Sequence, residues 1–228
     1  MTWALRLGLL LAYLPLAHLA GSRQSGGWAA LALGSLALML LLEPLLQRRL
    51  AAWAGLTTIV VALWWLSHTP WALLPVLLMP VVWLGLIGWV FGRTLRAGQV
   101  PLVTRLVTAL YARAGMTLSP RHEAYTRGLT AAWAGLLASL GLLNLVLALI
   151  AVPGGVLDRL GLVPVPQITP AQWSLVANAA NYGVIGGFML IEYLARKRVF
   201  PVRPYRNFPD FVRKMAALGP EFWRGFLR

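Results

Sequence analysis

"WALLPVLLMPVVWLGLIGWVFGRTLRAGQVPLVTR", residues 71–105, contains the change of character that decides the fold. Its first 21 residues carry no charge, and the next 14 carry three arginines. A helix needs about 20 mostly apolar residues to cross roughly 30 Å of hydrocarbon at about 1.5 Å per residue. The run from Trp71 to Phe91 meets that length, and Gly92 marks where a span leaves the bilayer.

The same reading extends to the rest of the chain. Hydrophobic residues make up 59% and charged residues 11%, with a mean hydropathy of +0.72. A soluble domain would need far more charge to cover its surface. Six stretches qualify as spans: 3–20, 28–46, 52–68, 71–91, 129–152 and 172–194. The expectation is an all-α, polytopic membrane protein. The first stretch is marginal, with Arg6 near one end and Pro15 and His18 near the other. Cleavage after Ala20 would put His18 where a signal peptidase prefers a small residue, so an uncleaved span is expected. The third and fourth stretches form a hairpin through His68, Thr69 and Pro70, with Pro75 and Pro80 expected to kink the fourth. The fifth and sixth are joined by a connector rich in Pro and Gly. Cysteine is absent, which removes disulfides, thiolate metal sites and cysteine nucleophiles.

Lysine and arginine collect in cytoplasmic loops. With six spans and the N-terminus inside, 18 of the 20 basic residues fall on one face, leaving only Arg23 and Arg159 on the other. Both termini are therefore expected in the cytoplasm. Residues 92–128 become a cytoplasmic cap and residues 196–228 a basic-aromatic tail. Taken singly, these arginines read as topology determinants that meet anionic lipid phosphates, each contributing about 1 kcal/mol near the surface.

The cap carries more pattern than topology requires. After Pro101, residues Leu102, Val103, Leu106, Val107 and Leu110 recur at helical spacing, with Arg105 and Thr108 opposite. This predicts a short amphipathic helix in the interface, its apolar side in lipid. Gly115 breaks it, and Ser119-Pro120 starts a second helix that runs into the fifth span. In the tail, Phe208, Phe211, Val212 and Met215 share one helical face, and Phe222, Trp223, Phe226 and Leu227 suit a second anchor. Interleaved bases and aromatics also bind nucleic acid. On a membrane-tethered tail they are expected to bury in the headgroup region instead, so nucleic acid is not the expected partner.

Polar groups inside a span are costly and so are candidate functional residues. Glu192 and Arg196 stand at i,i+4, the spacing of an ion pair. Asn144, Asn178 and Asn181 lie at comparable depth and read as interhelical hydrogen-bonding groups. Ala179, Gly183 and Gly187 form a stripe of small residues that predicts close packing of a neighbouring helix. Glu43, followed by Arg48 and Arg49, reads as a paired helix end. His18 and His68 lack nearby carboxylates, so no metal site is expected. His122, between Arg121 and Glu123, has the chemistry of a general base but reads as a solvated histidine at a helix start. There is no paired-carboxylate cluster, HExxH, P-loop or GxSxG pattern. Metal-dependent phosphotransfer and serine hydrolysis are disfavoured, and no cofactor is expected.

Three blocks of residues resemble a known family. They are Gly92-Arg93-Thr94-Leu95 with Pro101-Leu102 and Thr104-Arg105; Tyr125-Thr126-Arg127 with Thr130 and Trp133; and Asn181-Tyr182 with Glu192-Tyr193 and Arg196. Over roughly residues 28–201 the chain resembles small inner-membrane proteins associated with aryl-polyene (xanthomonadin-type) pigment biosynthesis. The resemblance implies a Gram-negative inner membrane and work beside acyl carrier proteins, ketosynthases and acyltransferases. It assigns no catalytic residue.

Two functions follow. One is a platform whose cationic face recruits an acidic acyl carrier protein or polyene biosynthesis enzymes to the membrane. The other is an interfacial acyl or lipid transferase, in which arginines clamp a phosphate. The fourth span exits, the fifth enters and the sixth leaves at one membrane level. On that ground Arg93, Thr94, Arg105, Tyr125, Arg127, Glu192 and Arg196 are expected to line one polar pocket for substrate or phosphate. A transporter ranks third, because no broken-helix repeat or buried charge pathway is evident. The platform leads because no acid–base cluster is visible.

Overall fold

The computed structural model describes residues 2–200, 204–219 and 222–223, apart from the side chains of Thr2, Ser174, Asn178 and Ala179. Every regular element among them is helical; one isolated parallel bridge joins Ala151 to Ile168. In chain order the helices are α1 (Thr2–Arg23), α2 (Gly26–Leu46), α3 (Leu50–Ser67), α4 (Leu74–Arg93), α5 (Leu102–Arg113) and α6 (Pro120–Ile150). Then come α7 (Val156–Arg159), α8 (Pro170–Ser174), a π-helical turn (Leu175–Ala180), α9 (Asn181–Val199) and α10 (Phe208–Ala216). Among the described residues six helical stretches are long and apolar enough to cross a membrane: α1, α2, α3, α4, α6 and the run Pro170–Val199. The chain is a multi-pass membrane protein.

The chain divides into two compact units, Met1–Pro80 with Asn144–Leu175, and Val81–Leu143 with Val176–Arg228. In the first, α1 turns into α2 through Gln24, whose φ is 48°, and Ser25. Ala20, Ala29 and Ala32 are buried there, because small side chains let helices approach closely. Gly26 is required by contact: a Cβ would lie 2.2 Å from the Ser67 carbonyl oxygen at the end of α3. At the far end of the hairpin, Arg6 donates to Glu43 at 2.9 Å, so α1 and α2 run antiparallel. Glu43 thus pairs across the hairpin rather than with Arg48 or Arg49 along its own chain. Pro75 also departs from expectation. Helix α4 begins at Leu74, so Pro75 sits in the first turn, where its missing N–H costs nothing, and only Pro80 is interior.

In the second unit, α4 and α6 cross closely. A Cβ on Gly88 would lie 3.3 Å from the Leu137 Cβ, and one on Gly141 would lie 3.6 Å from the Gly85 nitrogen. Leu84, Leu137 and Leu140 form the core at this crossing, with Phe91 and Trp133 against it. The stripe expected at Gly183 and Gly187 does not serve this purpose, since a Cβ on either would meet nothing within 4 Å. Glycine spacing identifies a surface that permits close approach, but several helices here carry glycine, and spacing does not say which one is opposite.

Helix α6 runs unbroken for 31 residues. At about 1.5 Å per residue it is about 46 Å long and exceeds the hydrocarbon thickness by several turns. Helix α5 lies where the sequence predicts it, but its apolar side differs from expectation. Leu102, Val107, Leu110 and Tyr111 are buried within the protein rather than turned to lipid. Val107 and Tyr111 form a core with Phe200, flanked by Val103, Met116, Leu118, Tyr125 and Val199. Amphipathic spacing says that one side leaves water; it does not distinguish lipid from protein. The cover is the tail, whose Phe200, Tyr205 and Leu218 are buried, while Phe208 and Val212 stay exposed. Of the expected second anchor, Phe222 and Trp223 meet edge to face at 5.3 Å, and Phe226 and Leu227 lie outside the described residues.

Candidate functional site

Four buried threonines hold α5 in place. Thr94, just past the end of α4, donates its hydroxyl to the Phe91 carbonyl at 2.8 Å and accepts the Leu102 N–H at 3.0 Å. Thr130 on α6 donates to the Thr126 carbonyl at 2.8 Å and accepts the Val103 N–H at 3.2 Å. Thr126 donates to the Glu123 carbonyl at 3.0 Å, which uses its only proton, so at 2.8 Å it accepts from Thr104. The Thr94, Thr126 and Thr130 hydroxyls each donate to a carbonyl three or four residues back and accept a hydrogen bond from the first turn of α5. The first N–H groups of a helix have no partner within it. Here Pro101 caps α5 without a side-chain bond, and Thr94 and Thr130 satisfy the first two of these groups instead.

The arginines expected to share a pocket with these groups are engaged separately. Arg93 lies over the Trp89 ring at 5.0 Å. Arg105 donates Nε to the Val100 carbonyl at 3.0 Å and Nη2 to the Gln99 Oε1 at 3.0 Å. Arg127 donates Nη2 to the Leu95 carbonyl at 3.1 Å. Arg105 and Arg127 therefore order the connector between α4 and α5.

Tyr125, Glu192 and Arg196 do come together. Arg196 Nε donates to Glu192 Oε1 at 2.6 Å, a pair closed by one helical turn and largely buried. The Tyr125 hydroxyl points at the same carboxylate oxygen from 3.5 Å, and Arg196 Nη1 faces the Tyr205 hydroxyl at 3.4 Å, both at the long limit of hydrogen bonding. The Phe211 ring lies 5.4 Å from the guanidinium carbon. A cavity of about 10 Å³ remains beside Arg196, Tyr125 and Phe200, room for about one water. Arg196 is surrounded by its own protein.

His122 is half-buried, and not solvated as its place in the sequence suggests. Its ring stacks on Phe200 at 4.3 Å, Nε2 lies 3.3 Å from the Val199 carbonyl, and Nδ1 lies 3.1 Å from the Ser119 hydroxyl. The carbonyl only accepts, so Nε2 carries a proton. In the neutral ring Nδ1 is then the acceptor, and it faces the Ser119 hydroxyl. Asn144 is fully buried. Asn181 is also buried and donates Nδ2 to the Ala177 carbonyl at 3.0 Å, where the π-helical turn interrupts the regular ladder. The Asn178 side chain lies outside the described residues.

Arg113 is the group the sequence concealed. It donates Nη1 to the Ala217 carbonyl and Nη2 to the Leu218 carbonyl at 3.2 Å, so it caps the C-terminus of α10 across 104 residues of chain. Helix α10 opens with Asn207 accepting the Asp210 N–H at 2.9 Å. Among the described residues no three His, Asp or Glu side chains gather where they could hold a metal ion. Comparison with family models, with curated proteins and with solved structures finds no match to this chain.

Proposed function

We propose that this chain is a membrane platform whose folded cationic cap and tail recruit an acidic soluble protein to the cytoplasmic face of a bacterial inner membrane. The observation that carries this reading is the distribution of charge in the second unit. Nine basic side chains there are exposed, among them Arg121, Arg127, Arg198, Arg206 and Arg213, against one exposed carboxylate among the described residues, Glu123. Such a surface raises the encounter rate of an acidic partner and orients it before contact. Arg113, Thr94 and Thr130 give the charges a folded frame, so a partner meets a fixed pattern rather than two mobile segments. The arginine asymmetry of the loops favours both termini inside. With the resemblance to the aryl-polyene family, the partner that fits is an acyl carrier protein or another polyene biosynthesis enzyme.

The transferase reading draws support from Tyr125, Glu192 and Arg196 sharing one cluster. It asks in addition for arginines free to clamp phosphate, and Arg105 and Arg127 bond the connector instead. The platform is the reading we keep. Its test is association of purified acyl carrier protein with the protein in nanodiscs of neutral lipid. Binding weakens steeply with salt, because exposed charges are screened beyond about 8 Å at physiological ionic strength. Joint replacement of Arg198, Arg206 and Arg213 by Gln slows association more than it speeds dissociation. Salt-independent binding, or no binding, contradicts the proposal.

A further inference from the structure

The loop between α6 and α8 is built inside out. Its base is closed by the Val152 N–H donating to the Ile168 carbonyl at 2.8 Å and the Ile168 N–H donating to the Ile150 carbonyl at 3.3 Å. Its two charged side chains turn inward. The Asp158 carboxylate accepts the Gly154 N–H at 2.7 Å, and Arg159 Nε donates to the Gly154 carbonyl at 2.7 Å. Gly161, at φ 74°, ends α7, with the Gly161 N–H bonded to the Asp158 carbonyl at 3.0 Å and the Leu162 N–H to the Leu157 carbonyl at 2.9 Å. In this helix ending the residue at the Leu162 position frequently packs back on the helix. Here Leu160, Leu162, Val163 and Val165 are 57%, 55%, 77% and 92% exposed.

We infer that residues 160–165 are an apolar foot resting in the membrane leaflet that adjoins this loop. A run of aliphatic side chains on an ordered loop marks a surface that something covers. Three observations select lipid as the cover. Four residues, 166–169, separate the run from the membrane-crossing stretch Pro170–Val199. No charged residue occurs from Leu160 through Ile191, and residues 160–165 carry no polar side chain. Pro164 removes one backbone donor from the segment and Pro166 another just beyond it, which lowers the cost of placing it where water is scarce. The foot adds an in-plane contact at the end of the spans, independent of the cationic cap.

The chain has no cysteine, so Val163→Cys and Val165→Cys supply unique sites for an environment-sensitive fluorophore, with Ser119→Cys as the water-exposed reference. The full chain is reconstituted in phosphatidylcholine vesicles containing nitroxide lipids. The expected result is blue-shifted emission at both valine positions, with quenching strongest from nitroxides about 5–10 Å below the headgroups, the depth of interfacial segments. Both signals stay constant as the protein-to-lipid ratio changes. Water-like emission with quenching by aqueous iodide overturns the inference. So does protection that appears only at high protein-to-lipid ratio, which would make a second copy the occupant.

Discussion

Arg6 and Glu43 meet at 2.9 Å with 40% and 60% of their side chains exposed, whereas Arg196 and Glu192 meet at 2.6 Å with 17% and 9% exposed. The first pair belongs to the unit built around α1 to α3, which small residues hold together at Ala20, Ala29 and Gly26. The second belongs to the unit that carries the cap and tail, where polar groups far apart in sequence hold backbone to side chain. An exposed pair contributes little, because water screens it and two side chains must be ordered to make it. A buried pair is weak evidence of added stability, but losing one partner strands the other. The first unit should therefore tolerate loss of its pair, and the second should not.

Glu192→Gln is the largest break. It leaves Arg196 without its anion, and removing one member of a buried pair typically costs about 3–5 kcal/mol. Faster proteolysis of the tail and exposure of Phe200 and Tyr205 to solvent are the expected readouts in nanodiscs. Unchanged protection would mean that Phe211 and Tyr205 alone seat the tail.

Thr130→Val keeps the shape and removes the acceptor for the Val103 N–H. An unsatisfied buried donor costs about 1–3 kcal/mol. Hydrogen exchange should accelerate at Val103, while amides of α1 and α2 stay as in the parent. Equal acceleration in both units would refute the idea that this hydroxyl acts locally on α5.

These threonines mark where sequence reading stops. The spans were legible because uninterrupted apolar runs have one physical use at that length. Helix α5 was legible from the spacing of Leu102, Val103, Leu106, Val107 and Leu110. What its apolar side covers was not, since Phe200 lies 93 residues beyond Val107. Thr94, Thr104, Thr126 and Thr130 stood in the motif blocks beside arginines, whose charge drew the functional reading. In the structure the hydroxyls make the buried contacts. Arg113 gave no signal, because helix capping by a guanidinium depends on where a distant terminus comes to rest. The crossing at Gly88 and Gly141 and the open stripe at Gly183 and Gly187 have the same small residues, and only tertiary packing separates them.

Glu43→Gln is the smallest change. An exposed pair is worth about 0–1 kcal/mol, so the thermal midpoint should barely move. A loss comparable to that of Glu192→Gln would erase the contrast between the two units.

Recruitment requires a cap that faces the cytoplasm, because a cationic surface on the other side meets no acyl carrier protein. Single cysteines are placed at Ser22 and Ser119, both exposed, in a chain that has none of its own. A membrane-impermeant thiol reagent is then applied to intact inner-membrane spheroplasts. The prediction is that Ser22→Cys reacts and Ser119→Cys reacts only after permeabilisation. Labelling of Ser119→Cys in the intact cells, with Ser22→Cys protected, would contradict it.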